Sequence, residues 1–467
     1  MEESQKNINN YAQAYFEVFI ISMLIVWLPS KLLAYTAPFI GIIWFIIRSR
    51  SGKSLLRFVF GLFFYLAIIG LYKLLYYFYK EEFVIQNAFL SLFTYGSFFF
   101  FLVLPPNGGL QNLDYRKYAK VIAWFILIEA SLGIFQVLVY VLINSGNFDS
   151  GTGDVVQGTL NPMSFIDPGG SFNNQIYCAN LLVLLLFYAP FVISQKKGIL
   201  VSCIGLLAVI FASVMHLFIV FIVAVVLITL YMSRSFIKFN TNKLIIAVFL
   251  VIAIVVTISF QPRNVALIGH YFNNIQTDES PKTVATKKTL LELPDEYPWV
   301  YFTGLGPGQY ASRAGLIGTG HYFGEFKNPK QLPFIDPKNS PALHTYIFKD
   351  WESVATNPAK YGNSTMSRPF YSTLSILTEF GYLMFFCILF MMYVFVRRIK
   401  KMYIQEIKER NFLRSLYGLS CGALVVFYFF ISFFENYMEV TQAIFPGLLL
   451  LYYFYSFLKN SSSSNLA

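Results

Sequence analysis

The residues with the clearest chemical potential lie in one polar stretch, from about Gln261 to Pro369, between two long hydrophobic regions. Gly304-Leu-Gly-Pro-Gly308 closes an amphipathic run there, and Arg313 follows one short turn later. Glycine tolerates positive φ and close backbone approach, so Gly304, Gly306 and Gly308 could turn successive N–H groups toward an anion beside the arginine. The same glycines also make an ordinary turn leaving a helix. His216 interrupts continuous apolar sequence, and an ionisable residue at such a depth is a functional candidate. A neutral histidine at a helix junction can equally hydrogen-bond a carbonyl. Glu129 and Glu379 are carboxylates inside apolar runs, expected to face the protein interior, where hydrogen bonding between helices is the structural alternative. Lys287 and Lys288 sit in a candidate helix over residues 281–293 and could contact substrate or form its solvated face; His344 and His321 fall in polar loop. With no HxxxH or HExxH spacing, no metal site is expected.

These residues have to be positioned by membrane helices. The chain is 56% hydrophobic and 13% charged, where soluble domains carry about 25% charged residues. About 20 apolar residues cross a bilayer, and about twelve such runs can be placed. They lie near 12–29, 32–47, 58–79, 84–104, 119–143, 177–194, 199–214, 217–232, 244–260, 370–396, 415–434 and 443–458. The expected fold is an all-α polytopic membrane protein with one large extracytoplasmic lobe, 261–369, between the ninth and tenth spans. Basic residues fall on alternate connections, among them Arg48, Lys53, Arg116, Lys196, Arg234, Lys238, Lys243 and Arg397. The positive-inside rule makes that side cytoplasmic, with both termini inside. This distribution also explains the net charge of +11 without nucleic acid. The opposite side receives loop 144–177, the short turn 434–442, the lobe and all four histidines. Cys178, Cys203, Cys387 and Cys421 lie in or beside apolar runs and read as small core residues. Residues 460–467, with four serines in a row, are expected to be a disordered tail.

Three stretches resemble one family. Lys287 opens a short helix leading through Pro294 to the Gly304–Gly308 turn; Glu379 and Gly381 form a Glu-x-Gly element at the next span; Gly169-Gly-Ser-Phe172 leads into a membrane helix. The family is that of the O-antigen polymerases and O-antigen ligases, integral membrane glycosyltransferases. The resemblance implies an undecaprenyl-diphosphate-linked glycan as donor and another as acceptor, contact with membrane lipids, no cofactor, a bacterial cytoplasmic membrane and, as a further partner, a chain-length regulator. For such a reaction the candidate catalytic residues are His216, Arg368 and Glu379, and the candidate substrate contacts are Arg313, Gly304, Gly306, Gly308, Lys287, Lys288 and His344. Arginine suits a leaving diphosphate because its planar fork pairs with two oxygens and never deprotonates; the outer-side arginines are Arg263, Arg313 and Arg368. An anchoring role at the bilayer rim is the alternative for Arg368. Family ligases carry a His-Asn pair where this chain has Phe370 and Tyr371, which favours a polymerase. A ligase is the nearest alternative, and a transporter the alternative of another class.

Overall fold

A computed structural model describes residues 2–105, 114–144, 153–167, 172–233, 280–322, 335–357 and 368–464. The expected ninth span at 244–260, Arg263, His270, the basic residues Arg234, Lys238 and Lys243, the Gly169–Ser171 element and the last three residues of the tail lie outside them.

The described residues are helical, without a β-strand. The first half contains α1 (Glu2–Val26), α2 (Lys31–Ser49), α3 (Gly52–Phe78), α4 (Ile85–Thr94), α5 (Gly96–Val103), α6 (Tyr115–Ile143), α7 (Phe172–Gln195), α8 (Ile199–Ala212) and α9 (Met215–Ser233). The second half adds α10 (Pro281–Leu291), α11 (Arg313–Gly318), α12 (Lys349–Thr356), α13 (Ser372–Glu379), α14 (Tyr382–Lys408), α15 (Phe412–Ile431) and α16 (Thr441–Ser464). Eight of these are long and apolar enough to cross a membrane: α2, α3, α6, α7, α9, α14, α15 and the Thr441–Lys459 part of α16. The apolar segment Asn10–Val26 of α1 and helix α8 are shorter.

Sequence pattern explains which of them are central. Helix α7 is apolar nearly all round, and such a helix belongs in a core; 78% of its apolar window is buried, and it packs against α6, α8, α15 and α16. Helices α3 and α14 bury only 11% and 6% of theirs. Their outward faces, with Phe60, Phe63, Phe64, Phe386 and Phe390 exposed, suit a lipid environment rather than water.

Two expected spans are broken. The run 84–104 bends by 62° between α4 and α5. Gly96 stands at the bend, where the Phe39 ring lies only 2.9 Å from the place a Cβ would take, and Asn87, Ser91, Thr94 and Ser97 are buried along the bent pair. The run 370–396 divides at Gly381, whose φ of +89° ends α13 and starts α14. The seventh and eighth runs are separate helices, divided by Ser213 in a left-handed conformation. Helix α16 continues to Ser464, so the serine-rich segment expected to be disordered is helical that far.

The loop after α6 also departs from expectation. Its polar composition suggests an exposed connection, but Val155, Val156, Gln157 and Ser164 are buried. Two polar side chains of α6 hold it. Gln136 Oε1 accepts from the N–H groups of Gln157 and Gly158, both at 2.9 Å. Glu129 accepts from Thr159 N at 2.9 Å and Thr159 Oγ1 at 2.7 Å. Glu129 therefore faces inward as expected, and the descending loop satisfies it.

Between α9 and α14 a second apolar core is built from Leu293, Trp299, Val300, Tyr310, Leu316, Ile347 and Phe370. It rests on the bent α4–α5 pair: Gln309 accepts from Val84 N at 3.0 Å and donates to Val84 O at 2.9 Å, and α11 packs on α4.

Candidate anion-binding site

The glycine turn and the Glu-x-Gly element touch each other, backbone to backbone. Leu305 N donates to Thr378 O at 2.8 Å and Gly306 N to Glu379 O at 2.9 Å. A Cβ on Gly304, at φ +77°, would lie 2.4 Å from Glu379 O and from Gly381 N. The approach therefore requires glycine at 304. The turn does gather N–H groups around an anion, as its spacing suggests, but the anion is internal. Glu379 Oε2 accepts from Gly308 N at 2.7 Å, and Oε1 from Tyr310 N at 2.9 Å and Ser312 N at 3.3 Å. Of the three glycines expected to offer N–H groups to a substrate, Gly308 gives its N–H to the Glu379 carboxylate and Gly306 to the Glu379 main-chain carbonyl, and the side-chain oxygens of Glu379 are turned to the backbone.

This joint sets the start of α11. Ser312 caps the helix by accepting from Gly315 N at 3.2 Å, and Arg313, its first residue, is fully buried. The guanidinium carbon of Arg313 lies 4.6 Å from the centre of the Phe172 ring and 4.6 Å from that of Tyr322. Two such desolvated contacts are worth roughly 2 kcal/mol each. None of its side-chain nitrogens has a hydrogen-bond partner among the described residues. Arg313 Nη2 lies 3.5 Å from Glu435 Oε1, and Arg368 Nη1 lies 3.9 Å from the same oxygen. The two arginines singled out in the sequence therefore converge on one carboxylate.

Glu435 belongs to the turn between α15 and α16, which α13 fastens. Ser372 N donates to Glu435 O at 3.3 Å and Thr373 N to Ser432 O at 3.0 Å; Ser372 Oγ accepts from Met438 N at 3.0 Å. In the same turn Asn436 Nδ2 donates to Ala311 O at 2.7 Å, and Glu439 accepts from Arg313 N. Burial, reinforced by nearby Glu379, pushes Glu439 up to about 8, so its neutral form predominates at pH 7.

More cations stand around this turn. Lys282, in the first turn of α10, donates to Phe434 O at 2.5 Å and lies 5.4 Å from the centre of the Tyr371 ring. Burial lowers its ammonium to about 8, so it remains largely charged at neutral pH. Lys31 opens α2 within electrostatic range of both arginines and lines a narrow cleft with Tyr35, Phe172, Tyr322 and Gln442. His216 Nε2 lies 3.1 Å from Tyr437 Oη, its ring stacks on Phe434 at 5.3 Å, and Tyr437 donates in turn to Gln175 Oε1 at 2.9 Å.

Four basic side chains, Lys31, Lys282, Arg313 and Arg368, thus gather round Glu435 and a Glu439 that is mostly neutral at pH 7. Such a surplus of positive charge, half-dry and rimmed by aromatic rings, suits a multiply charged anion such as a phosphate ester. Of the residues expected from the sequence, Arg313 and Arg368 meet here at Glu435, His216 stands beside the same turn through Tyr437 and Phe434, and Glu379 lies one layer behind. The other expected contacts do not join them. Lys287 is exposed, Lys288 pairs with Asp350 at 2.9 Å, and His344 is exposed and stacked on Phe348.

Sequence reasoning missed Glu435, Glu439, Lys282, Lys31 and Tyr437. A signal existed for the first two: turn 434–442 carries two glutamates within nine residues between apolar spans, where uncompensated charge is costly. No family model matches the chain, and no curated protein matches it.

Proposed function

We propose that this protein is a membrane glycosyltransferase that polymerises undecaprenyl-diphosphate-linked oligosaccharide repeat units into a surface polysaccharide. In this reading it crosses the bacterial cytoplasmic membrane twelve times, with both termini inside, and carries the 261–369 lobe and the cationic site on the outer face. The observation that carries the proposal is the meeting of Arg313 and Arg368 at a single buried carboxylate beside Lys282. A leaving diphosphate needs its charge neutralised as the anomeric bond breaks, and paired guanidiniums held in a low-dielectric site supply this without reorganising. The acceptor hydroxyl attacks the anomeric carbon of the donor, and undecaprenyl diphosphate departs into the arginines. His216 and Tyr437 border the glycan side. Glu379 acts at one remove, fixing the turn from which Arg313 projects. The likeness of three short motifs to O-antigen polymerases and ligases supports the same chemistry.

Purified protein in proteoliposomes, supplied with a defined lipid-linked repeat unit, tests the proposal. Chain lengthening with release of undecaprenyl diphosphate is the expected outcome. A single transfer to a lipid acceptor would make the protein a ligase, and movement of the lipid across the bilayer without new bonds would replace the enzyme reading with a transporter.

A further inference from the structure

The site as described holds an unusual carboxylate. Glu435 is fully buried, and neither of its oxygens accepts a hydrogen bond among the described residues. Its neighbours are the guanidiniums of Arg313 and Arg368, close enough for ion pairing but outside hydrogen-bond geometry. A buried ion pair made for stability would be knit together by hydrogen bonds. Here the donors of Arg313 and the lone pairs of Glu435 are both left unused. Of the other carboxylates nearby, Glu379 gives both oxygens to three backbone N–H groups, and Glu439 gives one oxygen to Arg313 N and to Asn436 Nδ2 at 3.3 Å, leaving Glu435 as the carboxylate with neither oxygen hydrogen-bonded among the described residues. The imidazole Nε2 of His216 is engaged with Tyr437. Arg368, 27% exposed, is where the group opens outward.

We propose that Glu435 is the internal counter-ion of the arginine pair, displaced from it by the donor's diphosphate, and the catalytic base that takes the proton of the acceptor hydroxyl. The inference rests on the glycosyl-transfer reading above. In the resting protein the carboxylate neutralises two guanidiniums that would otherwise stand buried and unpaired. When the diphosphate takes up their charge, the Glu435 carboxylate is released from the two guanidiniums and its oxygens are free to accept the proton of the acceptor hydroxyl. The acceptor oxygen forms its bond to the anomeric carbon while its proton passes to a Glu435 oxygen. The bond from that carbon to the phosphate oxygen breaks, and its electron pair leaves on undecaprenyl diphosphate. The proton returns to water when the product goes, and Glu435 pairs with the arginines again.

Two effects of opposite sign distinguish this from a structural role. Full-length protein in nanodiscs is assayed for binding of inorganic pyrophosphate and for transfer from a lipid-linked donor. Glu435→Gln removes the competing anion and the base together. It is expected to bind pyrophosphate about tenfold tighter and to transfer roughly a hundredfold more slowly. Since that variant leaves Arg313 without a counter-ion and can fail to fold, Glu435→Asp is measured beside it. Aspartate keeps the charge but withdraws it by one methylene, so a smaller gain in pyrophosphate affinity with a partial loss of transfer is expected. Wild-type transfer by a folded Glu435→Gln protein would overturn the inference, as would unchanged values of both quantities in Glu435→Asp. Weaker pyrophosphate binding in either variant would also overturn it, because a purely structural carboxylate loosens the site when it is altered. If wild-type protein transfers no glycan at all, the enzyme reading fails and the base role with it. Tighter pyrophosphate binding by the variants would then support the counter-ion role alone.

Discussion

Glu379 offers the sharpest separation between a group that builds the site and one that reacts in it. Its two oxygens accept three backbone N–H groups in a region with no solvent access. Glu379→Ala orphans all three donors. At about 1 kcal/mol each, the low end for a buried unsatisfied group, the loss is about 3 kcal/mol. At roughly 2 °C per kcal/mol, the figure for large domains, the unfolding midpoint in detergent should fall by about 6 °C. Glu379→Gln keeps one acceptor oxygen and turns an NH2 group toward one N–H, so about 1 kcal/mol is expected. Gly308→Ala attacks the same joint from the other side: φ is +75°, and the new Cβ would meet Asn87 O at 2.3 Å. It should destabilise at least as much as Glu379→Ala.

Transfer per folded molecule should stay within a fewfold of wild type in Glu379→Gln, since the glutamine still holds the turn. A variant as stable as wild type that transfers nothing would refute this reasoning and return Glu379 to the reacting groups.

The arginines should separate by environment: Arg313→Lys loses the sandwich between Phe172 and Tyr322 as well as the planar fork, whereas Arg368→Lys loses the fork alone. Both alanine variants should abolish nearly all polymer on a surface-polysaccharide gel at matched membrane abundance, with Arg368→Lys retaining more than Arg313→Lys; full ladders from both alanine variants would remove the diphosphate clamp. For topology, a cysteine at Pro337, in a background lacking the four native cysteines, should react with a membrane-impermeant thiol reagent in intact spheroplasts, while one at Glu409, beside the basic end of α14, should react only after lysis. The reverse pattern would turn the proposed orientation over.

The helical membrane character was legible because hydropathy acts over some twenty residues at once and needs no partner. The breaks were not, because each depends on packing across the fold. Gly96 bends its span against a Phe39 ring more than fifty residues away, and Gly381 ends α13 by meeting Phe302 O, from which its missing Cβ would stand 2.6 Å. Within the site, the sequence suggested Gly304, Gly306 and Gly308 as N–H donors to a substrate anion; in the structure a glutamate seventy residues on accepts from Gly308, Tyr310 and Ser312 instead. Arginine scarcity on the outer side singled out Arg313 and Arg368, and the structure brings both to one buried carboxylate, where a buried cation must have a reason. The lysine pair at 287 and 288 stands away from the turn, Lys287 exposed and Lys288 paired with Asp350. Lys282, on the opposite end of the same helix, is the one directed at the turn.

The arrangement also accounts for why the short motifs lie so far apart in sequence. Glu379, through the turn at 304–308, fixes the first residue of α11; α13, through Ser372 and Thr373, fixes the turn that carries Glu435. The same eight-residue helix therefore places both an arginine and its counter-ion. Displacing α13 would move the two together and preserve their separation, whereas loosening either fastening alone would part them. A change that leaves both fastenings intact can alter how the site meets the bilayer without altering its charge geometry, while Ser372→Ala, which removes the acceptor for Met438 N, acts on the Glu435 side only. Coupling both partners to one rigid element, beside the direct bonds from Asn436 to Ala311 O and from Arg313 N to Glu439, keeps a hydrogen-bond-poor ion pair in register.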